Sequence, residues 1–187
     1  MKRAPAVLAV LLLSAAAAAA QTLANPSFEE QGAEIDLAAG WQRWGQWINR
    51  DCGWTPVRDG NCLMAYHHWQ IETPDPSGFF QDFTNATPGK VYTFSLYANT
   101  DPAKDDCVNA ESVELRLETT LYGQPVIVVS KLCKFEALAA GNDWSLLRVR
   151  AAAPTETLRV VVILTPAKGD RLRGGAIKFD QAALSAE

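Results

Sequence analysis

Residues 23–47 read LANPSFEEQGAEIDLAAGWQRWGQW. The Asn25-Pro26 start is extended or turned, because the proline ring disfavours helix in the residue before it. A polar, glycine-containing loop follows, and Trp41, Trp44 and Trp47 close the stretch. Large aromatic rings set so close together are costly to expose, so most of the segment must lie on or in a core. We expect it to close one end of a β-sandwich, with residues 177–184 closing the other.

Outward from there the chain reads as short strands between turn signals. Asp59-Gly60-Asn61, Pro88-Gly89, Gly141-Asn142 and Lys168-Gly169-Asp170 mark turns. Residues 113–119 alternate: Val113, Leu115 and Leu117 on one face, Glu114, Arg116 and Glu118 on the other. That period of two is a half-buried strand. Residues 91–98 place Tyr92, Phe94, Leu96 and Ala98 together, and residues 158–164 are almost continuously apolar, as in a central strand. Pro125 can only open its strand, since it lacks a donor. Residues 135–140 suit a single helical turn. Regular short strands without an amphipathic helix mean an all-β sandwich or barrel.

Residues 1–20 have the pattern of a secretory signal peptide: Lys2 and Arg3, an apolar run too short to span a bilayer, then small residues before Gln21. The expected domain organisation is therefore a leader, 1–20, and one domain, 21–187, secreted or periplasmic. The formal net charge is −4 and becomes more negative without Lys2 and Arg3. That balance disfavours nucleic acid as a partner, and no later stretch suits a membrane span. In an oxidising compartment Cys52, Cys62, Cys107 and Cys133 default to disulfides. The sequential pairing, Cys52–Cys62 and Cys107–Cys133, is the one we favour. The sequence does not settle whether the protein is a monomer or an oligomer.

Catalytic signatures are weak. His67 and His68 are neighbours, so on a strand they point to opposite faces and cannot chelate one ion together. No G-x-S-x-G elbow occurs. Glu72, Asp82, Glu111, Glu114 and Glu118 are the carboxylates from which a glycosidase pair would be drawn, but nothing local marks any of them. The acidic residues Asp101, Asp105 and Asp106 lack EF-hand spacing. The aromatic inventory is the stronger signal, with six tryptophans. Trp41 and Trp144 are assigned to packing. An outward indole beside Gln81, Glu114 or Arg116 would make a stacking platform for a sugar ring, with polar groups for its hydroxyls.

Five pieces occur in order: NPSFEE at 25–30, GWQRWG at 40–45, FFQDFTNATPGKVYTFSLYA at 79–98, DWSLLRVRAAAP at 143–154 and IKFDQAAL at 177–184. This set resembles the carbohydrate-binding modules of the galactose-binding-like kind that accompany glycanases. The resemblance implies a jelly-roll β-sandwich of two antiparallel sheets and a polysaccharide or oligosaccharide partner. It also implies a structural calcium held by Glu29 and Asp180, although the second acid such modules carry after "F-D" is here Gln181. A cleft on the concave sheet nominates Trp47, Trp69, Gln81, Tyr97 and Arg116 as ligand-binding residues. Residues 48–76 have no counterpart in that pattern. Non-catalytic sugar binding is the reading to test; an exported adhesive or structural protein, and a small glycan-degrading enzyme, are its rivals.

Overall fold

The computed structural model describes residues 23–45, 48–66, 75–101, 110–166 and 176–187. Ten strands follow one another: β1 (Gln42–Trp44), β2 (Ile48–Asp51), β3 (Leu63–Tyr66), β4 (Ser77–Phe83), β5 (Val91–Asp101), β6 (Ala110–Leu121), β7 (Gln124–Lys134), β8 (Ser145–Ala152), β9 (Leu158–Pro166) and β10 (Ala176–Ala186). They form two five-stranded sheets, ordered β1-β4-β9-β6-β7 and β2-β3-β10-β5-β8. Every pairing between them is antiparallel. This is the expected jelly-roll β-sandwich. A 3-10 turn, Phe135–Ala137, supplies the one helical turn anticipated after β7.

The alternation read from the sequence explains which faces meet. Tyr92, Phe94, Leu96 and Ala98 of β5 are buried, as are Val113, Leu115 and Leu117 of β6. Central strand β9 turns Leu158, Val160, Val162 and Leu164 into the core. Its other apolar residues, Val161 and Ile163, face away from the core. An apolar run on a central strand thus serves two surfaces.

The 23–45 stretch closes the sandwich as anticipated. Asn25 stitches its loop: Oδ1 accepts from the Glu30 N–H at 3.1 Å, while Nδ2 donates to the Glu30 and Ala39 carbonyls. Trp41 Nε1 donates to the Asn25 carbonyl at 3.1 Å, so the indole is buried with its polar edge satisfied. The ring packs on Phe28 and Phe79, with centroids 5.2 and 5.5 Å away. Phe79 of the first sheet in turn meets Phe179 of the second at 5.5 Å. Residues 177–184 do not close the opposite end: they lie in β10, the central strand of the second sheet, and the Ala182 N–H donates to the Pro26 carbonyl, so β10 is fastened to the opening segment.

Cys52 and Cys62 are bridged, as expected. The second expected bridge is not formed. Cys133 is a free thiol on β7, opposite Val113 and packed against the core, where burial pushes its pKa up. Cys107 lies outside the described residues. An even cysteine count suggested a second pair, but the count says nothing of where β7 places the Cys133 side chain.

Candidate functional site

The outward side chains of the first sheet form a lattice fixed by register. Trp44 of β1 lies opposite Gly78, which faces Ile163, then Glu114. In the next row Phe80, Val161, Arg116 and Ser130 are neighbours; beyond it come Asp82, Arg159 and Glu118. Trp44, Phe80, Arg116, Glu118, Arg159, Val161 and Ile163 line a groove of about 290 Å³.

One wall is aromatic. The Trp44 and Phe80 rings lie 6.1 Å apart, tilted by 46°. Trp44 occupies the space above Gly78, where a Cβ would overlap the indole Cζ2 and Cη2 atoms and the Val162 carbonyl. Glycine is therefore what lets the indole lie down on the sheet. We expect Gly78→Ala to lift Trp44 and to destabilise the fold by about 1–3 kcal/mol, as overpacking does. Urea unfolding checks the stability, and the indole emission spectrum of the folded variant reports the displaced ring.

The other wall is charged and internally paired. Arg116 holds Glu114 through Nε and Nη2 at 2.7 and 2.9 Å, and reaches Glu118 at 3.5 Å. Arg159 grips Asp82 through Nε and Nη2 at 2.7 and 3.0 Å, its guanidinium 4.1 Å from the Phe80 ring centroid. Such forks fix planar groups in place, leaving carboxylate lone pairs and unused guanidinium N–H groups for a ligand. Hydrogen bonds from Arg116 hold the Glu114 carboxyl below the usual carboxylate range, against the opposing effect of partial burial. A carboxylate kept ionised in this way accepts hydrogen bonds and does not serve as a general acid.

The nominated ligand residues do not form one site. Arg116 belongs to the groove. Gln81 does not: it shares its face of β4 with Phe79 and is buried, its Oε1 accepting from the Ala24 N–H at 2.7 Å and its Nε2 donating to the Ala24 carbonyl at 3.0 Å. It anchors the chain entry. Tyr97 lies on the outer face of the second sheet, on the far side of the molecule from Arg116, and Arg58 covers its ring at 3.7 Å. Trp47 and Trp69 lie outside the described residues, as do His67, His68 and Glu72. Trp44, Phe80 and Arg159 carry the groove but were not nominated.

Glu29 and Asp180 both serve the disulfide-closed loop between β2 and β3. Glu29 Oε1 accepts from the Asn61 and Cys62 N–H groups at 3.0 and 2.9 Å. Asp180 Oδ2 accepts from Arg58 and Asp59 N–H, each at 2.8 Å, and Oδ1 from Gln181 N–H at 2.7 Å. The loop covers the second sheet: the Thr55 carbonyl accepts from Lys178 Nζ at 3.2 Å, and Lys178 is buried. The donor set around the two carboxylates is therefore one of N–H groups, whose dipoles oppose a cation at the same oxygens. Among the described residues no three His, Cys, Asp or Glu side chains are grouped to hold a metal.

Burial raises the Asp180 pKa from 3.8 to about 6, outweighing the three amides that lower it. The folded state then binds more protons than the unfolded chain between about pH 4 and 6, so stability from this group falls as pH rises through that window. Hydrogen bonds from Arg116 and Arg150 lower Glu114 and Glu187, whose stabilisation is instead lost as pH falls below about 4.5. In Asp180→Asn the pH 4–6 slope is expected to flatten, read from urea midpoints at pH 4.5 and 7.

No protein-family model matches the sequence and no curated protein matches it. Among solved structures the fold is similar to TmCBM61 in complex with β-1,4-galactotriose, at 15% identity over 88% of this chain and 97% of that one, TM-score 0.55. It is similar to the CBM22-1 xylan-binding domain of Paenibacillus barcinonensis Xyn10C, at 11% identity over 86% and 90%, TM-score 0.54. A cyclase from Fischerella sp. TAU in complex with 4-(1H-indol-3-yl)butan-2-one is also similar, at 16% identity over 91% and 98%, TM-score 0.60. The chain therefore has the jelly-roll fold of carbohydrate-binding modules. At these identities the likeness concerns the fold, which the cyclase shares, so function is argued from the groove.

Proposed function

We propose that the protein binds carbohydrate without chemistry, in the groove on the outer face of the first sheet. The observation that carries this reading is the pairing of a half-exposed aromatic wall, Trp44 and Phe80, with the ion-paired Arg116, Arg159 and Glu118 in one groove. The flat C–H face of a sugar stacks on the Trp44 indole, beside the Phe80 ring that Arg159 covers, while Glu118 and the unused N–H groups of Arg116 and Arg159 take its hydroxyls. Affinity is modest, because such hydrogen bonds largely exchange with water. Glu114, kept ionised by Arg116, accepts hydrogen bonds and does not serve as the general acid a hydrolase needs. The Cys52–Cys62 bridge and the leader pattern favour export, and no helix of the described residues is long and apolar enough to cross a membrane.

The test is retention on a series of soluble and insoluble polysaccharides. We expect at least one glycan to retain the wild type and Tyr97→Ala, but not Trp44→Ala. Retention by none, or loss in Tyr97→Ala with Trp44→Ala unaffected, contradicts the reading.

For calcium at Glu29 and Asp180, we propose that the backbone amides of residues 58–62 and 181 take the place of the ion. Five N–H donors already occupy Glu29 Oε1 and both Asp180 oxygens, where a calcium ion would compete with them. The melting midpoint is expected to be the same in EDTA and in calcium; a midpoint several degrees lower in EDTA restores the metal.

A further inference from the structure

A sheet edge offers unpaired N–H and C=O groups to any passing strand, and proteins blunt such edges with short strands, charge or proline. Three of the four edges here are short or carry arginines. β1 has three residues and β2 four. β8 is longer but carries Arg148 and Arg150, both exposed. The fourth edge, β7, has 11 residues and is exposed along most of its length. Lys131 and Lys134 protect its second half; in the first half Pro125 removes one donor and a bulge falls at Val128, between the Glu118–Ile127 and Leu117–Val129 pairs. Residues 119–130 carry no charged side chain, and residues 126–129 read Val-Ile-Val-Val.

Exposed apolar surface concentrates on the same hairpin. Leu121, Tyr122, Val126, Ile127 and Leu132 all belong to it, with Ile127 50% and Tyr122 103% exposed. The turn adds a cost. Tyr122 and Gly123 have φ of 52° and 78°, the left-handed pair in which Asn-Gly is the usual choice. A tyrosine there is strained by about 1–2 kcal/mol, and its ring meets no core.

We propose that the first half of β7 is a dimer interface, at which a second copy of this chain adds its own β7 antiparallel to form a ten-stranded sheet. A second copy suits this edge because the match is with itself. Laying residues 126–129 against their copy sets β-branched side chains against β-branched side chains, a favourable cross-strand pairing. The same register brings Lys131 beside Gln124 and Pro125 of the copy, away from the other Lys131. The contact is isologous and closes on itself, giving a dimer and not a fibre. The twofold axis of antiparallel edge pairing runs normal to the sheet, so both grooves face the same way. The dimer does not depend on what the groove binds.

Sedimentation velocity over a concentration series tests this, on the chain carrying Cys133→Ser so that a mixed disulfide cannot imitate the dimer. We expect a concentration-dependent monomer–dimer equilibrium. Ile127→Lys is expected to raise the dissociation constant about tenfold or more, and Leu146→Lys, on β8, to leave it unchanged. Circular dichroism confirms that both variants remain folded. Amide hydrogen exchange of the unsubstituted β7 gives a second readout: protection of residues 126–129 rises with concentration. A monomer at every concentration overturns the proposal, and so does a dimer that Ile127→Lys leaves intact or a β7 edge whose exchange ignores concentration.

Discussion

Phe79→Ala is expected to destabilise the protein by about 3–5 kcal/mol, the cost of deleting a large aromatic from a packed core. For a domain whose total stability is of the order of 5–15 kcal/mol, this leaves a marginal fold. The reason is position. Phe79 is fully buried, and its ring meets Phe28 at 6.0 Å, Trp41 at 5.5 Å and Phe179 at 5.5 Å. It thus joins the opening segment to one sheet and that sheet to the last strand. Each aromatic pair adds about 0.5–1.5 kcal/mol beyond the area it buries, and alanine loses all three while leaving a cavity. Urea unfolding followed by tryptophan fluorescence measures it. By contrast Phe80→Ala, one residue along and on the opposite face, should cost much less stability and act on binding.

Trp44→Ala should weaken binding of the retained glycan by about 2 kcal/mol, the scale of an interface hot spot, or about thirtyfold in Kd. Trp44 sits at the edge of the sheet above a glycine and contributes little to the core, so its stability cost should be small. Arg159→Ala should weaken binding less, because only its N–H groups not already held by Asp82 are free for a ligand. Isothermal titration separates the two. Equal losses in both would mean that the aromatic wall is not the main contact.

Much of the fold was legible because alternation is local. Residues 91–98 and 113–119 state their faces without reference to any partner, and the buried indole of Trp41 follows from Asn25-Pro26 and the glycine before it. In the structure alternation along β4 puts Gln81 inside, two residues from Phe79 and Phe83, and Phe80 and Asp82 outside. Gln81 was named for its chemical suitability to sugars, and the structure buries it instead. The groove as a whole was less legible. Trp44 reaches Phe80, and Phe80 reaches Arg159, through pairings of β1 with β4 and β4 with β9, and long-range register is not written in either strand. Tyr97 and Arg116 looked equivalent because both point outward. Which sheet each joins decides that they face opposite sides of the molecule. Glu29 and Asp180 were expected as calcium ligands; in the structure both accept from amides of the 52–62 loop, and that loop lies in the part of the chain without a counterpart in the family pattern.

The most direct test of the central claim is amide- and indole-resolved NMR during titration with a soluble form of the retained glycan. We predict that shifts concentrate on Trp44, Phe80, Arg116, Arg159 and their strand neighbours, with Tyr97 and Arg58 unmoved. Shifts centred on the second sheet or on the loops between strands, or no shifts with any glycan, would contradict the account.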